Sequence, residues 1–230
     1  MKTLGIITYN TNHLKTEQIV LNLLHRYSIT VYALPFEPRP IRTVLFQHRP
    51  NQVKAAHPEE ICRYFNIPFV PVAHDWEIDN GLDFYLITGA GILSPQCLHG
   101  KHILNGHPGV IPTVRGLDAF KWSIYNMCPL GVTLHYIDEK VDAGQVISVL
   151  PTLVFPSDTL ESLARRHYEN EINILSNFEK YILQPKNPFK NAANGDSMRR
   201  MKFEQEKELA ERFLLYKQKY CRWHGNDNQK

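Results

Sequence analysis

Glycine is missing where a phosphate cradle would need it. The chain opens on a short apolar run, Leu4–Thr8, and the turn that follows, Tyr9–His13, holds no glycine. Loops that wrap a phosphate in backbone N–H groups depend on glycine there, so the absence argues against P-loop enzymes and dinucleotide-binding dehydrogenases. Cysteine is also scarce. Cys62, Cys97, Cys128 and Cys221 are scattered with no CxxC pair, which fits reduced thiols in a cytoplasm better than a disulfide frame or a zinc knot. No apolar stretch is long enough to span a bilayer. The run MKTLGIITYN ends in polar Asn10-Thr11-Asn12 and reads as a first strand rather than a signal peptide. A net charge of +3 gives no bulk signal for a polyanionic partner, so neither nucleic acid nor membrane is expected. There is no internal repeat and no low-complexity tract.

What is present is ordinary in amount for a soluble α/β chain of 230 residues. Leu4–Thr8 reads as a buried parallel strand, and Thr16 as the cap of a helix whose Ile19, Val20, Leu23, Leu24 and Tyr27 share one face. Ile29–Leu34 is the second strand. Pro58, Glu59 and Glu60 suit the start of a helix running to about Phe65. Strands follow at Phe69–Val72, Leu82–Thr88 and Ile103–His107, then a helix over Leu117–Tyr125 and two strands within Gly131–Ile147. Ser157 or Asp158 is placed to cap a long helix through Tyr181. The expected fold is a Rossmann-like, mostly parallel twisted sheet with helices on both faces. Residues 1–183 form the main domain, and residues 184–230 a loop and helical extension. In that extension Met201, Phe203, Leu209, Phe213, Leu214 and Tyr216 make a narrow apolar stripe. It suits an exposed helix or one packed on a partner subunit.

Three stretches carry chemistry. Asn105 and His107 are two apart, so a strand over Ile103–His107 sends both side chains to one face. Pro108 and Gly109 then end the strand. An amide beside an imidazole supplies an oxyanion donor and a base, the pair that acyl transfer uses. Asp142 stands in an acidic loop between two strands, where it can return a carboxylate to orient the imidazole. The second stretch, Gly89-Ala90-Gly91-Ile92-Leu93, follows the fourth strand, and its glycines let a ligand approach the backbone or simply make the turn. The third is basic: Arg39, Arg42, His48 and Arg49 lie near Gln52 and Lys54. It is either a solvated surface loop or a diphosphate site, since arginine presents planar donors to phosphate oxygens. His102, His107 and His135 match no usual zinc spacing, and no metal is expected.

The runs ILNGHPGVIPTVRG and GVTLHYIDEKVDAG, taken together, resemble the 10-formyltetrahydrofolate-dependent formyltransferases. That family shares an Asn-x-His-Pro run, an Arg-Gly shortly after, then Gly-Val-Thr-x-His and Asp-x-Gly. The resemblance covers about residues 80–150 well. Gly106 departs from the apolar residue usual between Asn and His and is expected to loosen the strand locally. The resemblance implies a formyl donor held by Gly89–Leu93, Asp138, Lys140 and Asp142. It implies an acceptor met by Asn10, Arg49, Gln52, Pro108, Gly109 and Arg115. The detail is most similar to the sugar N-formyltransferases. This implies a cytoplasmic homodimer acting on a nucleotide-linked amino sugar of the dTDP-4-amino-4,6-dideoxyhexose type, for surface polysaccharide (lipopolysaccharide) synthesis. The glycine-free first turn counts against the glycinamide ribonucleotide enzymes, which carry Gly-Ser-Asn there, and the short tail counts against the tRNA enzymes. A hydroxyornithine-type transferase, a formyltetrahydrofolate hydrolase and a non-catalytic folate- or nucleotide-binding module are the other readings.

Overall fold

The computed structural model describes residues 1–38, 42–138, 144–189 and 194–221. Strand β1 (Lys2–Tyr9), helix α1 (Leu14–Leu23) and strand β2 (Tyr27–Leu34) open the chain as a βαβ unit. Then come α2 (Pro58–Phe65), β3 (Phe69–Pro71), β4 (Phe84–Ile87), α3 (Pro95–Leu98) and β5 (Ile103–His107). A two-residue strand, β6 (Arg115–Gly116), and α4 (Ala119–Tyr125) precede the hairpin β7 (Gly131–Tyr136) and β8 (Val146–Pro151). Helices α5 (Leu160–Ser176) and α6 (Phe178–Leu183), strand β9 (Ser197–Met198), and helices α7 (Phe203–Lys207) and α8 (Leu209–Tyr220) complete the described chain.

Seven strands form one sheet in the order β3-β2-β1-β4-β5-β7-β8. The first five in that order are parallel to one another, and β7 and β8 run antiparallel to their neighbours. Side-chain parity sorts the sheet into two faces. Leu4, Ile6, Val31, Leu86, Leu104 and Leu134 turn toward α1, α2, α5 and α6, where Ile19, Val20, Leu23, Ile61, Ile174 and Leu175 meet them. Each such side chain fully withdrawn from water contributes about 1.5–3 kcal/mol. On the opposite face, Ile7, Tyr32, Tyr85 and Ile103 pack with Ile78, Leu93 and Cys97. The mostly parallel sheet with helices on both faces is thus the one expected.

Local details differ from the sequence reading where tertiary partners outbid local ones. Thr16 lies inside α1, and His13 occupies the cap position without a capping bond from its side chain. The first N–H groups of α1 are satisfied from a distant loop instead. Leu14 N donates to the carbonyl of Gln52 (2.9 Å) and Lys15 N to its side-chain oxygen (3.1 Å). Thr16 is buried and joins Thr8 and Thr88 in a hydroxyl chain of 2.6 and 2.8 Å. Thr159, not Ser157 or Asp158, caps α5 through Ser162 N, and the long helix breaks at Asn177. Asp158 is engaged elsewhere, accepting from both terminal nitrogens of Arg166 at 2.7 Å.

The C-terminal helices belong to the body of the chain. Met201, Leu209, Phe213 and Tyr216 are buried with Phe120, Trp122 and Ile124 of α4 and with Leu163 and Ala164 of α5. Their apolar stripe is therefore covered by the chain itself, while Leu214 and Leu215 face outward. Gly106 does not loosen β5. A Cβ there would stand 3.0 Å from Leu175, so the missing side chain lets α5 press on the strand.

Candidate functional site

A cleft of about 1120 Å³ opens at the carboxyl ends of β1, β4 and β5. This is where open α/β sheets bind ligands. It exceeds the ~300–1,000 Å³ usual for one small ligand, room consistent with two substrates.

β5 supplies the centre. Asn105 and His107 share a face, as the spacing requires, and both line the cleft. Register sets Asn105 opposite His135 and His107 opposite Thr133, so the four side chains form one polar patch on the paired strands. His135 is buried, and its Nδ1–H donates to the carbonyl of Tyr136 (3.1 Å). Its Nε2 lone pair therefore accepts from the Asn105 amide at 3.3 Å. One N–H of that amide is thereby aimed, and the amide's orientation is set by a neighbour rather than by chance. His107 is 3% exposed, and its Nε2–H donates to the carbonyl of Val114 at 2.9 Å. Thr133 holds the adjoining turn, donating to the Gly109 carbonyl (2.6 Å) and accepting from Ile111 N (3.1 Å).

Below the turn lies a buried ion cluster. Glu171 of α5 accepts from Lys15 of α1 at 2.8 Å and pairs with Arg49 of the basic loop. Burial pushes the Glu171 carboxyl up, but Arg49 and Lys15 outweigh it and hold the group at about 2. Arg49 also lies over the Tyr168 ring, 5.8 Å from its centroid. His167 bridges to the turn after β5. Its Nδ1 accepts from Thr152 (2.8 Å), and its Nε2–H donates to the Pro108 carbonyl (3.2 Å). Burial pulls His167 and His13 down to about 4, so both rings are neutral at pH 7. A third cluster closes the far wall: Lys121 and Glu206, both buried, pair at 2.5 Å, and Arg42 reaches Asp118 at 3.1 Å.

Set beside the expected site, the placements divide. Gly89, Ala90, Gly91, Ile92, Leu93 and Asp138 all line the cleft, with Ile92 78% exposed at its rim. Backbone-rich, apolar lining of this kind suits a flat heteroaromatic donor such as the folate that the family pattern implies. Arg49, Gln52 and Pro108 also line the cleft. Asn10, Gly109 and Arg115 do not. The Asn10 backbone N–H is tied to Leu34, Gly109 is wedged between Val114 and His107, and the Arg115 guanidinium donates to the Gly195 carbonyl at 2.8 Å. Asp142, Lys140 and Arg39 lie outside the described residues. Lys15, Glu171, Lys121 and Glu206 were missed. Glu171 had a signal: it stands four residues after His167 and three before Ile174, on the buried stripe of α5.

The architecture is shared with known structures. Superposition on solved structures gives a TM-score of 0.61 with a 4-N formyltransferase from Francisella tularensis (15% identity, covering 92% of this chain and 87% of that one). It gives 0.56 with phosphoribosylglycinamide formyltransferase from Bacillus halodurans (20% identity, 82% and 100%). At such identities the likeness establishes the fold. Residues 87–178, from the end of β4 to the start of α6, match the formyl transferase family. Among curated relatives, phosphoribosylglycinamide formyltransferase of Haemophilus influenzae is 32% identical over 116 residues, 44% of this chain and 54% of the relative. The Bacillus subtilis protein of the same name is 26% identical over 132 residues, 57% and 63%. The chain thus matches about half to three-fifths of the length of these relatives.

Proposed function

We propose that this protein moves a formyl group from 10-formyltetrahydrofolate to the primary amine of a nucleotide-linked amino sugar. The observation that carries the proposal is the strand-end pair itself: an Asn105 amide oriented by His135, beside a buried His107, at the mouth of a roomy cleft. The attacking amine must be neutral and must lose a proton as the amide forms. The His107 imidazole takes that proton. The Asn105 amide donates to the formyl oxygen as negative charge grows on it; such donors typically contribute about 3–4 kcal/mol. Asp142, between β7 and β8 in the sequence, orients His107. The Gly89–Leu93 backbone, with Asp138 and Lys140, holds the donor. Pro108, Arg49 and Gln52 face the acceptor. The reading includes a cytoplasmic homodimer working in surface polysaccharide synthesis.

The acceptor assignment draws on the glycine-free first turn and on the solved sugar enzymes that share the fold. A second reading, formylation of glycinamide ribonucleotide, is favoured by the names of the curated sequence relatives. Release of tetrahydrofolate, followed with a panel of dTDP- and UDP-linked amino sugars and with glycinamide ribonucleotide, decides between them. Turnover with an amino-sugar nucleotide and none with the ribonucleotide supports the proposal. The reverse pattern overturns the sugar assignment. Release without any amine would make the protein a hydrolase.

A further inference from the structure

The cleft is rich in cations, yet most are already spoken for. Lys15 and Arg49 share Glu171, Lys121 pairs with Glu206, and Arg42 with Asp118. Most N–H groups of the first turn are already engaged. Its N–H groups at Asn10, Thr11, Leu14 and Lys15 donate to Leu34, Tyr9 and Gln52 of the protein. Two arginines differ. Arg199 and Arg200 line the cleft with exposed side chains that have no hydrogen-bond or ion-pair partner among the described residues.

Their backbone is firmly held. Met198 pairs with Gly116 across β6 and β9, and Leu117 N donates to Met198 O at 2.8 Å. Gly116 sits at φ +84° with Met198 backbone where a Cβ would be, so this strand pairing requires glycine. The Trp122 indole donates to Arg199 O (2.7 Å), Met201 N donates to Asp118 (3.0 Å), and Met201 itself is buried. Two exposed guanidinium groups follow directly on a strand whose backbone is tied down, so planar donors matched to phosphate oxygens are presented at the cleft. Arg200 also borders a neighbouring hollow of about 600 Å³ with Thr43, Met201, Lys202 and Phe203.

We infer that Arg199 and Arg200 take the diphosphate of the acceptor, with its nucleoside lying in the hollow beyond Arg200. The C-terminal segment, not the basic loop before α2, then reads the nucleotide. This rests on the nucleotide-sugar reading above. The folate-facing loop after β4 packs its Leu93 on the other face of the sheet, whereas Met198 and Met201 join the α4 cluster. The two arginines therefore belong to the acceptor's wall of the cleft.

The test uses the full chain and dTDP as probe. In titration calorimetry, the double variant R199A/R200A is expected to bind dTDP about tenfold more weakly or worse, with R199K/R200K between it and wild type. In steady-state assays the loss should fall on the acceptor's KM, while the folate donor's KM stays unmoved. Unchanged dTDP affinity in R199A/R200A overturns the inference. So does a wild-type protein that binds neither dTDP nor UDP. A rise in the folate donor's KM instead also overturns it, and assigns the arginines to the folate's glutamyl carboxylates. Tetrahydrofolate release by wild type, lost in N105A, is measured separately, so failure of the diphosphate site and failure of formyl transfer are distinguishable.

Discussion

The end of β5 and the basic loop before α2 are both polar, and both border the same cleft, yet they fared differently. At Asn105 and His107 the backbone period fixes direction, and the two side chains arrive where spacing alone sends them. In the loop nothing fixes direction. Arg42 turned to Asp118 and Glu206, Arg49 to Glu171, and Gln52 to the first turn of α1. A charge in a sequence is a promise of a partner, and where a chain can supply that partner it usually does. Regular structure makes a polar residue's role readable; irregular structure hands the decision to whatever lies across the gap.

The sharpest way to break the comparison is at the strand. Asn105→Ala, His107→Ala and Asp142→Ala are each expected to lower turnover by about 100-fold or more while the fold survives. Turnover near wild type in all three would strip the strand end of its role. Next comes the buried cluster. Glu171→Gln leaves Lys15 and Arg49 facing each other without a carboxylate and should cost about 3–5 kcal/mol in urea unfolding. A cost below ~1 kcal/mol would mean that water already screens the trio.

Acid should expose the same cluster. His13 and His167 are held at about 4, below an unfolded value near 6.5, so the stability they contribute is complete above that value and declines as pH falls from about 6.5 to 4. Glu171 is held at about 2, so its share declines from about 4.5 to 2. The melting temperature should therefore begin to drop below pH ~6.5, and His167→Gln should blunt the upper part of that drop. Arg49→Ala is expected to do less than Glu171→Gln, because Lys15 remains to neutralise the carboxylate. Its mark should be a modest loss of melting temperature. A rise only in the acceptor's KM, with melting unchanged, would assign the acceptor's diphosphate to the loop.

Much of the fold was legible because its signals are local. The β1–α1–β2 opening, the Pro58-led capping of α2 and the β7–β8 hairpin all follow from residues within one turn or one strand of each other. The candidate pair Asn105 and His107 was legible for the same reason. Glu206 was not: it is charged, sits in a charged segment, and is buried because Lys121, 85 residues away, and the Leu45 N–H meet it. The cap of α1 escaped too, since its acceptors are supplied by Gln52. Long-range pairing leaves little trace in a single sequence.

Helix α5 carries three contacts at successive turns on one side: His167 on the Pro108 carbonyl, Glu171 under two cations, and Leu175 against bare β5 backbone at Gly106. A rod gripped at those points transmits displacement along its length. Crowding its far end, as Gly106→Ala would, nudges the turn beside His107 through rigid-body motion. The expected signature is a slower enzyme whose melting curve is almost unaltered.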